Sequence, residues 1–72
     1  MFEQQAAAYN AAIMLMKRLS DKRELTAARY DELMGIAMGI LRDSVKHDAD
    51  PASVEQMIEE VTGDIRERLT IN

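Results

Sequence analysis

Seventy-two residues suffice for one domain, and with no cysteine among them the chain has neither disulfides nor thiolate-held metals to stabilise it. A net charge of -4 favours solubility and weighs against nucleic acid as a partner. A domain this small buries only about 60% of its unfolded surface, so close helix packing or self-association must supply the rest, and an apolar content of 47% suits either.

The first helix is expected over 3–20, in a stretch rich in Ala, Leu, Met and Gln. Phe2, Tyr9, Ala12, Ile13, Leu15, Met16 and Leu19 share one broad face at helical spacing. Ala7, Ala11 and Met14 lie off that face, so its far side is not strongly polar. Lys17 and Arg18, with Lys22 beyond, fall where cations oppose the helix dipole. No basic residue precedes the apolar run, where Glu3 stands instead, so no secretory signal is expected. The run 6–16 is too short to span a bilayer. The expected location is the cytosol, with no membrane partner.

The break falls in 20–26. Thr26 is the expected cap of the second helix, its hydroxyl accepting from the first-turn N–H groups. Leu25 before it and Tyr30 after it have the spacing of a hydrophobic staple. Asp21 with Glu24 is a competing start. The second helix is expected over 27–46. Tyr30, Leu33, Met34, Ala37, Ile40, Leu41 and Val45 form its stripe, flanked by Ile36 and Met38. That apolar surface is too wide for one packing contact. Met-Gly-Ile recurs four residues apart, which sets Gly35 and Gly39 on one side. Each glycine costs about 1 kcal/mol against alanine inside a helix, and a flat strip lets another backbone approach.

Pro51 closes the second helix and suits the first position of a third, expected over 51–69 with Asp50 as its cap. Val54, Met57, Ile58, Val61, Ile65 and Leu69 recur every three or four residues, opposite Glu55, Glu59, Gly63, Arg66 and Glu67. Most of the excess acid lies in this last third. The expected fold is therefore all-α, a small three-helix bundle with short connections in a single domain. It is expected to assemble as a homodimer in which the first two helices meet across a two-fold axis and the third covers the outside.

Chemistry finds little footing. One histidine and no cysteine exclude a Cys–His dyad and a His-rich metal site. His47 suits a helix C-terminus, where the dipole favours a protonated ring. Asp48-x-Asp50 lacks the glycine, the further ligands and the terminal glutamate of a calcium loop. Ser20, Ser44 and Ser53 carry no nucleophile signature. No enzyme, cofactor, metal or small-molecule substrate is expected.

The function expected is non-enzymatic protein binding. The size and character suit a small regulator or inhibitor of a larger complex, of the kind found on phages and mobile elements, anti-defence inhibitors included. Its contact surface is expected at Met34, Gly35, Met38, Gly39 and Arg42, with Tyr9 and Met14 secondary. A second possibility is a dimeric nucleic-acid-binding transcriptional regulator using Lys17, Arg18, Lys22, Arg23 and Arg29. It is disfavoured because Asp21 and Glu24 interrupt the cations and no aromatic residues interleave for base stacking.

Overall fold

The computed structural model describes residues 2–45 and 50–72. Three helices follow in order: α1 (Phe2–Asp21), α2 (Ala27–Val45) and α3 (Pro51–Glu67). The expected apolar side chain of Phe2, the extension of the second helix to Lys46, and the roles weighed for His47 and Asp48 lie outside what is described.

Local chemistry sets the helix ends. α1 stops in a Schellman arrangement: the Arg23 N–H donates to the Ser20 carbonyl and the Glu24 N–H to the Leu19 carbonyl, at 3.0 and 2.8 Å. The left-handed position in this motif favours glycine, yet Arg23 fills it at φ 61°. Asp21 is the last residue of α1, so the competing start at Asp21 is not used. Thr26 caps α2 as expected, its Oγ1 accepting from the Arg29 N–H at 3.1 Å. Leu25 and Tyr30, the two halves of the staple, both lie in the buried core. Asp50 caps α3 through its Oδ1, which accepts from the Ser53 N–H at 3.0 Å, while Oδ2 accepts from the Ser53 hydroxyl at 2.8 Å. These bonds to the ionised carboxylate hold the Asp50 pKa below its usual value, the backbone bond from Ser53 contributing most.

α2 is the central element. It packs against α1 on one side and α3 on another, and it supplies Tyr30, Leu33, Met34, Ala37 and Met38 to the core. α1 adds Ala12 and Met16, the α1–α2 turn adds Leu25, and α3 adds Val54 and Ile58. The wide apolar arc of α2 thus has an intramolecular explanation, because two neighbours at different angles need more than one stripe.

After α3 the chain returns to the α1–α2 turn. The Thr70 N–H donates to the buried Ser20 hydroxyl at 2.7 Å and the Asn72 N–H to the Leu25 carbonyl at 2.8 Å. The Asn72 side-chain amide donates to the Arg23 carbonyl, and Ile71 packs against the core. The third helix was expected to run to Leu69. It ends at Glu67, and the last residues form this strap instead.

The molecule measures 37 × 25 × 17 Å, with a radius of gyration of 12.6 Å. A compact chain of this length would have a radius nearer 11 Å. α3 packs against α2, and the chain beyond it returns to the α1–α2 turn through the strap.

Candidate docking surface

The structure divides the expected contact surface into three parts. Met34 and Met38 are 6 and 7% exposed and belong to the core, so they cannot serve as surface residues of this chain. The reason is their place on α2: at about 100° per residue they fall on the arc turned toward α3, between Tyr30 and Arg42. Gly35 is exposed and Gly39 half-buried. A Cβ built on either meets no atom within 4 Å, so no helix of the same chain crosses closely there. Arg42 pairs with Glu55 of α3, Nε to Oε1 at 3.1 Å. Both side chains are half exposed, which gives the pair little value for stability. Tyr9 is half-buried against the core, and Met14 stands 61% exposed on α1.

The apolar surface that is free lies elsewhere. Leu15 is 40% exposed and Ile36 50%. On α1, Ile13 and Lys17 face the α3 side, since they line a groove with Ile65 and Leu69. Leu15 is about 160° round the helix from both. On α2, Arg42 marks the α3 side, and Ile36 is about 120° from it. In each helix the buried positions, Ala12 and Ala37, lie between the two arcs. Leu15 and Ile36 therefore point to the same face of the hairpin, the one α3 does not cover. Exposed Ala8 and Ala11 of α1 and half-buried Ile40 of α2 fall on the same arcs. This surface was missed because Leu15 shares the broad apolar face of α1 and Ile36 flanks the stripe of α2. Only the side on which α3 settles separates buried from bare.

The basic residues do not form one surface. Lys17, Arg18 and Lys22 line a shallow depression with Met14 and Asp21. Arg29 is committed to Glu32, Nη1 to Oε1 at 2.8 Å. Arg23 is held in the turn by its backbone geometry. Glu55, Glu59, Glu60, Asp64 and Glu67 are all exposed on α3. Among the described residues no group of three potential ligands could hold a metal ion, and no helix is long and apolar enough to cross a membrane.

Comparison with family models, with curated proteins and with solved structures finds no match for this chain.

Proposed function

We propose that this chain is a non-catalytic protein-binding module, a small helical regulator or inhibitor of a larger complex, and that the bare face of its α1–α2 hairpin is a protein contact surface. The observation that carries this reading is the pair of large aliphatic side chains, Leu15 and Ile36, exposed on the face opposite α3. Leu15 and Ile36 are already about half covered, so burying the rest against a partner is worth roughly 1 kcal/mol each, about half the value of full burial. The first partner proposed for this face is a second copy, joined across a two-fold axis with each α3 on the outside. The exposed Leu15 and Ile36, with Ala8 and Ala11 beside Leu15 on α1, support that arrangement, because a second hairpin would cover them.

Light scattering over a concentration series, on the wild type and on Leu15→Asp/Ile36→Asp, tests it. A dimer that the aspartates dissolve, with helicity unchanged by circular dichroism, supports self-association through this face. A wild-type monomer moves the face to a larger protein. Capture of partners would then have to fall in the same double variant, and undiminished capture would overturn the docking face.

A further inference from the structure

We propose that the groove between α1 and α3 binds a free single-chain alkyl carboxylate. The groove has a volume of about 280 Å³ and is lined by Ile13 and Lys17 of α1 together with Ile65, Arg68 and Leu69 from α3 and its end. Its apolar lining is aliphatic: the three apolar side chains are half-buried and pack against the core, and no aromatic ring or neutral polar side chain joins them. Such a floor suits methylene groups and offers nothing to read a polar body. The two remaining residues are cations. Among the described residues neither the Lys17 nor the Arg68 side chain has an ion-pair partner. Asp21 shares the adjoining depression with Lys17 but forms no ion pair with it. A guanidinium and an ammonium beside an alkyl-lined cleft match a carboxylate head, which the guanidinium can hold through two parallel hydrogen bonds.

Size narrows the ligand. Pockets for drug-sized molecules span about 300–1,000 Å³. This one falls just below, so a single alkyl segment is the ligand that fills it. The groove lies on the α3 side of the hairpin, away from Leu15 and Ile36, so it stands or falls independently of the docking face.

Titration calorimetry of the full chain with dodecanoate, kept below its micelle concentration, tests the site, with circular dichroism recorded alongside. The expected result is saturable binding of one ligand per chain, weaker with hexanoate and absent with uncharged dodecyl maltoside. Lys17→Gln/Arg68→Gln should weaken it about tenfold. Arg18→Gln, next to Lys17 but outside the groove, should not. All three cations are exposed, so these variants keep the fold. Sedimentation with vesicles containing phosphatidylglycerol gives the second arm. Binding to vesicles without binding to free dodecanoate would overturn the proposal. So would non-saturable uptake accompanied by loss of helicity, or equal weakening by Arg18→Gln.

Discussion

Replacing Gly35 and Gly39 by alanine separates a packing role from a mere helix defect. Both lie well inside α2, and at neither would a Cβ meet another atom within 4 Å. Neither has a positive φ, so alanine adopts the backbone without strain. The gain is then the helix-propensity difference, about 0.8–1.0 kcal/mol at each site. The two are four residues apart and alanine adds no clash, so the double variant should gain about 2 kcal/mol. For a domain of this size about 4–8 °C of melting temperature accompanies each kcal/mol, which places the rise at about 8–16 °C. Thermal unfolding followed by circular dichroism, with urea titrations to confirm, reads this directly. An unchanged or lower melting temperature in either single variant would refute the reasoning. A lower value together with a shift in mass toward monomer would show another chain's backbone lying on the strip.

Two further substitutions probe the chain where its backbone and caps carry the structure. Arg23→Gly removes a left-handed L residue at the end of α1; urea unfolding should show a gain of about 1 kcal/mol, and a loss would mean that the Arg23 side chain holds the turn. The Asp50 carboxyl has its pKa lowered on folding, so its stabilising contribution is present above its unfolded value and is lost as pH falls through the folded one. Asp50→Asn should therefore be less stable than wild type at pH 7, with the gap closing below about pH 4, and a gap equally wide at pH 3 would refute the charged cap.

The helices were legible because their signals are local. Pro51 after Asp50 and Thr26 before an apolar run each act within one turn, and both caps form as the spacing implies. What could not be read was the direction from which α3 approaches. α2 has apolar residues round much of its circumference, and periodicity alone assigns no neighbour to each side. Met34 on the expected stripe and Met38 beside it suit a partner as well as a core, and α3 makes that side interior. Leu15, on the broad apolar face of α1, and Ile36, flanking the stripe of α2, stay exposed for the converse reason. The strap at the C-terminus left no trace either. Thr70, Ile71 and Asn72 have no period, and their partners Ser20, Arg23 and Leu25 are distant in sequence.

That strap also ties the end of the chain back to its first turn. The α1–α2 hairpin joins neighbours through a short turn and can form from local contacts, which close quickly. The Thr70 and Asn72 bonds span nearly the whole chain after Ser20. Loop closure over that distance costs little more than over half of it, about 0.6 kcal/mol for each doubling, so the strap can latch once the helices are in place. The amide protons of Thr70 and Asn72 are bonded only through this contact, so in hydrogen exchange they report directly on whether the chain end is seated on the hairpin.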